Sequence, residues 1–263
     1  MLKREYKYLV PNNTIDELRN EMKDFLEPDK YASIRPQKEY TVRSIYYDTK
    51  NLDAYYEKLD GIKNRKKLRI RGYNELEVKS IIFLEIKCKL ESFTYKYRSM
   101  LNYDNLSDLL FTGDLQSYIL KKGDNLIENA GRFLFHLHKK RLKPVSLVTY
   151  DREAFFSKFD SNLRITFDKN LRYSSFPSID ELYREDILRK AMKKHFILEI
   201  KFYRGYSGHL LKIIQQFNLA RLSVSKYQIC FDAEKYNGRS ISNKSSFFSI
   251  PLWREPEYCR EAI

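Results

Sequence analysis

Cysteine is scarce in this 263-residue chain: Cys88, Cys230 and Cys259 stand too far apart for a disulfide framework or a Cys-x-x-Cys metal site, which fits a reducing cytosol. Glycine and proline are also few, at 8 and 7, so low-complexity linkers are excluded. No Gly-rich phosphate loop, Gly-x-Ser-x-Gly elbow or His-Glu-x-x-His helix occurs, which argues against the familiar nucleotide folds and hydrolase triads. No stretch approaches the roughly 18 apolar residues of a membrane span. Met1-Leu2 leads straight into charged sequence rather than the apolar core of a signal peptide. The expectation is a cytoplasmic protein, with membrane association only through a partner. Of the four histidines, His136 and His138 are two apart on a predicted helix and diverge, and all four are read as structural.

What is present is a folding chain with a strong charge. Hydrophobic residues make up 43%, with 21 Tyr and 17 Phe, enough for the core of one large domain or two small ones. Lys plus Arg number 49 against 35 Asp plus Glu, a formal charge of +14 that predicts attraction to polyanions.

Those charges alternate with apolar residues. Leu84-Glu85-Ile86-Lys87 is echoed at Leu198-Glu199-Ile200-Lys201, and Glu5-Tyr6-Lys7 repeats the Glu-x-Lys spacing. In a strand, residues two apart share a face, so one side is apolar and the other ionic. Arg69, Arg71, Lys96, Arg98 and Arg164 lie in similar segments. Any single strand of this kind reads as the solvated face of an antiparallel sheet. Several together favour a closed sheet with covering helices outside and the charges turned into a tunnel, which then needs an anion. Two readings of the Glu-x-Lys pairs stay open: the carboxylates hold a divalent cation while lysines hold phosphate oxygens, or Glu and Lys neutralise each other across strands. Nucleic acid is not expected, because carboxylates among the cations would repel a phosphate backbone, despite stacking aromatics at Tyr95, Tyr97 and Tyr203.

In chain order, strands are expected over 3–10, 40–48, 66–73, 81–89, 93–101, 145–156, 162–168, 171–173 and 196–203. Helices are expected from Thr14, capped by Thr14-x-x-Glu17 and ended by Pro28, and from Ser178 with Ser178-x-x-Glu181 as its cap. Further helices are expected over 207–219 and 225–235, and a turn with a short helix or extended arm over 49–59. A helical insertion spans about 104–142. The domain is placed at 1–236, followed by a tail over 237–263 in which Phe247, Phe248 and Trp253 carry no assigned role.

The segments Glu-Tyr-Lys-Tyr-Leu-Val (5–10), Arg-Ser-Ile-Tyr-Tyr-Asp-Thr (43–49), Lys-Leu-Arg-Ile-Arg (67–71) and Phe-Leu-Glu-Ile-Lys (83–87) form one ordered series. Tyr-Asp-Arg-Glu-Ala-Phe (150–155), Leu-Arg-Ile-Thr-Phe-Asp (163–168), Leu-Glu-Ile-Lys-Phe (198–202) and Ser-Lys-Tyr (225–227) continue it. In order and spacing the series resembles the VTC domain, the polyphosphate polymerase module of the triphosphate tunnel metalloenzyme (CYTH-like) superfamily. The resemblance implies an α+β fold: an antiparallel β-tunnel, a closed barrel of about eight strands, with helices packed outside.

It also implies a metal-dependent transferase that moves the γ-phosphate of ATP onto a growing polyphosphate chain, with Mn²⁺ or Mg²⁺ as cofactor. By motif, Lys7, Lys58, Arg69, Arg71, Lys87, Lys96, Arg98, Arg152, Arg164, Lys201 and Lys226 match phosphate-binding positions. Lys201, Arg164, Lys87 and Arg152 are the expected catalytic cations. Glu199 matches the metal-ligand position, with Glu5 and Glu85 as further candidate carboxylates. The chain departs from the pattern at Lys3, where the hydrolase branch often carries a first Glu, at Lys58, where Arg can occur, and at Ser223, where a second Lys can occur. The alternatives are a triphosphate hydrolase on the same scaffold, or a non-catalytic module that binds polyphosphate or nucleotide. A membrane-embedded partner protein is compatible with the family, and the oligomeric state is left open.

Overall fold

A computed structural model describes residues 3–120 and 125–236. The expected tail, with Cys259, Phe247, Phe248 and Trp253, lies outside the described residues. The strands are β1 (Lys3–Pro11), β2 (Leu26–Pro28), β3 (Tyr40–Asp48), β4 (Arg65–Tyr73), β5 (Ile81–Leu90), β6 (Phe93–Asn102), β7 (Lys143–Ser157), β8 (Arg164–Ser175), β9 (Arg189–Lys190) and β10 (His195–Phe202). The helices are α1 (Ile15–Met22), α2 (Lys30–Ser33), α3 (Asp53–Leu59), α4 (Leu106–Thr112), α5 (Leu115–Tyr118), α6 (Leu126–Lys139), α7 (Gly208–Gln216) and α8 (Lys226–Tyr236).

The strands form one sheet in the order β2-β7-β3-β4-β5-β6-β1-β10-β8-β9, and a further pairing of β7 with β8 joins eight of them into a ring. Every pairing is antiparallel. The narrowest seam lies between β1 and β6, where only Lys3–Thr94 and Arg4–Phe93 pair. Beyond it the edge of β1 is taken up by a connecting segment, where Leu222 N donates to Lys7 O and Tyr8 bridges to Arg221.

Alternation does what the sequence predicts on the outer face. Ile70, Leu84, Ile86 and Leu101 pack under α4 and α6 through Leu106, Leu109, Phe133 and Leu137. On the other flank Val10, Ile165, Leu198 and Ile200 pack against Leu18 and Met22 of α1 and Leu210, Ile213 and Ile214 of α7. The inner face is not uniformly ionic. Leu9 continues the Glu5-Lys7 face, Ile197 the Glu199-Lys201 face and Val148 the Arg152-Tyr150 face, and these apolar ends cluster with Tyr227, Cys230 and Phe231 of α8. One helix therefore packs against the inner face and closes part of the lumen, while the rest stays open and charged.

Several local expectations differ from the structure. Thr14-x-x-Glu17 makes no capping box; Thr14 Oγ1 instead donates to Pro11 O within a short 3₁₀ turn. The helix stops at Met22, and Pro28 is the last residue of β2. The Ser178–Glu181 capping box does form, with Ser178 N donating to Glu181, yet it caps only a 3₁₀ turn over Ile179–Glu181. Residues 162–168 and 171–173 belong to the single strand β8, which runs past an irregularity in its pairing with β7 near Thr149 and Asp151.

Candidate functional site

The open part of the lumen is a cavity of about 390 Å³ whose walls carry twelve Lys or Arg side chains and two carboxylates, Glu5 and Glu199. Four of the cations, Arg65, Lys67, Arg69 and Arg71, alternate along β4, so one strand supplies a ladder of positive charge. Strands β1 and β10 supply the carboxylates, with Lys7 opposite Glu199 and Glu5 opposite Lys201 in the antiparallel register.

Two carboxylate centres organise the cations. Lys7 Nζ lies 2.9 Å from Glu5 and 3.6 Å from Glu199, Lys87 is 3.0 Å from Glu5, Lys226 is 3.7 Å from Glu199, and Lys201 pairs directly with Glu199. Burial and the neighbouring Glu199 push the Glu5 carboxyl upward, but Lys7, Lys87 and Lys201 outweigh them and hold it well below the usual carboxylate range. Burial likewise opposes ionisation of Glu199, and Lys201, Lys7, Lys226 and Arg152 overcome it. Burial dominates at Lys201, whose pKa falls to about 8 despite Glu199 and Glu5.

Glu85, fully buried, forms the second centre. It accepts from Arg69 Nε at 2.7 Å, pairs with Arg98 at 3.0 Å and Lys96 at 3.3 Å, and lies 3.9 Å from Arg71. Nearby, Arg152 grips Asp168 with both arms of its fork at 2.5 and 2.7 Å, and Lys226 takes the same carboxylate at 2.5 Å. Asp168 carries no role in the sequence reading, although it shares its strand face with Thr166 and Arg164.

Of the residues expected at the site, Lys7, Lys58, Arg69, Arg71, Lys87, Arg152, Lys201, Lys226, Glu5 and Glu199 line the cavity together. Lys96, Arg98, Glu85 and Arg164 do not. Lys96 and Arg98 are drawn to Glu85, and Arg98 stacks on the Phe83 ring at 3.6 Å. Arg164 is held by Asp29 at 2.8 Å and by Tyr40 Oη at 3.1 Å. Contacts from Tyr40 to Tyr73, and from Tyr73 to Arg98, link these residues into a separate girdle at the Tyr73 end of β4. Wall residues that motif reasoning left unassigned are Arg65, Lys67, Lys89 and Arg221, together with Tyr46 and Tyr150. Parity with Arg69 and Arg71 was the available signal for Arg65 and Lys67. Ser223 also lines the cavity, a hydroxyl where a further lysine can occur.

Placement of Lys58 depends on Asp48, which is buried at the end of β3. Its carboxylate accepts from Thr49, Ala54 and Tyr55 backbone N–H groups at the start of α3 and from Tyr227 Oη at 2.8 Å, tying α3 to α8.

The profile of the VTC domain family matches residues 2–234. The chain belongs to the VTC domain family. The chain is 29% identical over 160 residues to vacuolar transporter chaperone complex subunit 2 of Saccharomyces cerevisiae, covering 53% of this chain and 19% of that protein. It is 28% identical over 154 residues to vacuolar transporter chaperone complex subunit 4 of Trypanosoma brucei brucei, covering 50% of this chain and 19% of that protein. The VTC chain thus spans about a fifth of the length of these relatives. Among solved structures it is similar to a putative adenylate cyclase from Bacillus halodurans, with a TM-score of 0.47 and 14% identity over 86% of this chain and 96% of that one. No described helix of the VTC domain is long and apolar enough to cross a membrane.

The donor set suits a hard divalent cation. Glu5 and Glu199 are ionised oxygen donors, both close to Lys7, and no group of three or more His, Cys, Asp or Glu that could hold a metal ion occurs among the described residues. One or two carboxylates completed by substrate phosphates is the pattern of Mg²⁺ and Mn²⁺.

Proposed function

We propose that this VTC domain is a metal-dependent polyphosphate polymerase that transfers the γ-phosphate of ATP onto a polyphosphate chain in the cationic cavity. The observation that carries the reading is the pairing of two ionised, buried carboxylates with twelve wall cations in one closed lumen. Glu199 and Glu5 would hold Mn²⁺ or Mg²⁺, which supplies charge neutralisation on phosphate oxygens.

An oxygen of the chain's terminal phosphate forms a bond to the γ-phosphorus, the bond from that phosphorus to its bridging oxygen breaks, and ADP leaves with the electron pair. The attacking oxygen is already anionic, so positioning and neutralisation matter more than a general base. Lys201, Lys87 and Lys7 are movable point charges suited to follow that redistribution. Arg152, locked by Asp168, offers a fixed direction. Arg164 lies outside the cavity walls and is assigned to the girdle instead of the reacting phosphates.

The relatives are named as subunits of a complex, and this supports a protein partner, through which a cytoplasmic VTC domain would meet a membrane. The test is incubation with ATP and Mn²⁺ followed by phosphorus NMR. Chain phosphate appearing with ADP, and absent with Glu199→Ala, establishes the polymerase. Orthophosphate alone would make the protein a hydrolase, and unchanged ATP would leave a binding module.

A further inference from the structure

Helix α3 lacks a cap of its own: Leu52 precedes it at φ 61° and has no side-chain oxygen to offer the first amides. Those amides are taken from further back in the chain. Asp48, at the end of β3, accepts from Thr49 N and Ala54 N with one oxygen, at 2.8 and 2.9 Å, and from Tyr55 N with the other at 3.1 Å. Thr49 Oγ1 accepts from Asp53 N at 3.1 Å. The second Asp48 oxygen also accepts from Tyr227 Oη, in the first turn of α8, at 2.8 Å. Asp48 and Tyr227 are each 1% exposed, so water does not compete for this bond.

Each of the two helices carries one cavity lysine. Lys58 lies in the last turn of α3, and Lys226 opens α8, 2.5 Å from Asp168 and 3.7 Å from Glu199. Tyr227 follows Lys226 directly, so the hydroxyl that fastens α8 to Asp48 also fixes where that lysine starts. The Tyr227 ring passes the constraint on. It stacks on Tyr46 at 5.3 Å, whose Oη accepts from Arg69 at 2.8 Å, and Lys67 lies over it at 5.0 Å. A second tie, from Tyr55 Oη to Asp232, keeps the two helices from turning about the first.

We propose that Asp48 is a positioning residue whose carboxylate sets Lys58 and Lys226 as one unit, so that a phosphate ligand meets the two ammonium groups at a fixed spacing. The role takes its ligand from the proposed function. Asp48 itself does not line the cavity and acts only through α3 and α8. A carboxylate is required because all four partners donate; an Asn of the same shape turns an NH₂ group toward one pair of them. Fixed spacing matters at a phosphate site because a misplacement of about 1 Å, made far from the reacting atoms, is enough to weaken the productive geometry.

The test is a double-mutant cycle on tripolyphosphate binding, measured by calorimetry on the full chain in excess chelator. Tyr227→Phe keeps the ring and its stacking and removes one hydroxyl. It should weaken binding about three- to tenfold while Lys226 is present and change little in Lys226→Ala, because residues acting through one contact couple. Asp48→Asn should weaken binding further and keep part of its effect in Lys226→Ala, through Lys58. Most of that remainder should go in Lys58→Ala/Lys226→Ala. Where Asp48→Asn fails to fold, Tyr227→Phe carries the test alone, since the α3 amides keep their carboxylate.

Thermal unfolding of the same variants separates position from stability. A purely structural Asp48 lowers the transition of Tyr227→Phe and leaves the affinity of the folded protein unchanged. That result, or an affinity loss of equal size with and without Lys226, overturns the positioning role, as does a wild type that does not bind tripolyphosphate. A coupled cycle in a protein that makes no chain from ATP sinks the polymerase reading alone. Chain synthesis with an additive cycle sinks the positioning role alone.

Discussion

Glu85 and Glu199 occupy the same position in the same tetrapeptide, Leu-Glu-Ile-Lys, on two strands of one ring, yet their surroundings differ in kind. Glu85 is bound mainly by guanidinium groups from Arg69, Arg71 and Arg98, with Lys96 at the rim. Glu199 is bound by ammonium groups from Lys201, Lys7 and Lys226. Arginine forks are planar, permanently charged and directional, whereas lysine is a mobile point charge that can swing away or lose its proton. The first centre is a knot and the second a latch. What separates them is the neighbours supplied by adjacent strands, so a repeated motif fixes the shape of an element without fixing its task.

Glu199→Gln should have the largest effect on activity, a loss of about 10²–10³ in chain formation from ATP, in line with removal of one preorganised charge stabiliser. Its thermal transition should move less than that of Glu85→Gln, because the lysines around it can rehydrate or deprotonate. Equal destabilisation by the two variants would erase the distinction. Glu85→Gln leaves several buried cations without their counter-charge and should cost about 3–5 kcal/mol of folding stability, read from denaturant unfolding. Asp168→Asn tests an intermediate case, where a fork and a lysine share one carboxylate. It should raise KM for the phosphate substrate about tenfold or more as Arg152 loses its fixed direction, with a smaller change in stability.

The smallest effect concerns protons. Lys67, Lys58 and Lys201 have values depressed to about 7, 8 and 8, so each is partly neutral near pH 8.5 in the free protein. A bound phosphate chain favours their charged forms and raises those values. Binding tripolyphosphate at pH 8.5 should therefore take protons up from solution, and at pH 6, where all three are already charged, the uptake should vanish. Calorimetry in buffers of different ionisation enthalpy reads this directly, and proton release at pH 8.5 would contradict the assignment.

The ionic face was legible from sequence because a period of two is a strong signal over strands as long as β5 and β10. The same faces also announced their own limit: Lys7 is followed two residues on by Leu9, and Glu199 is preceded two residues back by Ile197. That switch marks where the lumen stops being polar, but nothing in the pattern of Tyr227, Cys230 and Phe231 says that α8 covers the inner wall and not the outer one. Motif matching named most of the cavity cations and passed over Arg65 and Lys67, whose parity with Arg69 and Arg71 was there to read, and Asp168, whose part shows only once register sets it opposite Arg152. It also grouped Arg164, Lys96 and Arg98 with the site, because strand membership does not reveal which end of a ring a side chain reaches. Cap spacings say less: α1 does begin after Thr14 but without a side-chain cap, and the Ser178 box forms yet closes only a 3₁₀ turn, because a local hydrogen bond does not fix the length of the element that follows.

The placement of β1 between β6 and β10 has a consequence in time. The first strand of the ring pairs along its length with the last, from Arg4–Phe202 to Pro11–His195. A growing chain can build the β3–β6 meander early, but Glu5 and Lys7 meet Glu199 and Lys201 only after nearly two hundred further residues have been made. Such sequence-distant pairing forms late and slowly. The cation ladder of β4 therefore precedes its carboxylates: the Glu5–Lys7 and Glu199–Lys201 centre is completed only when the ring shuts.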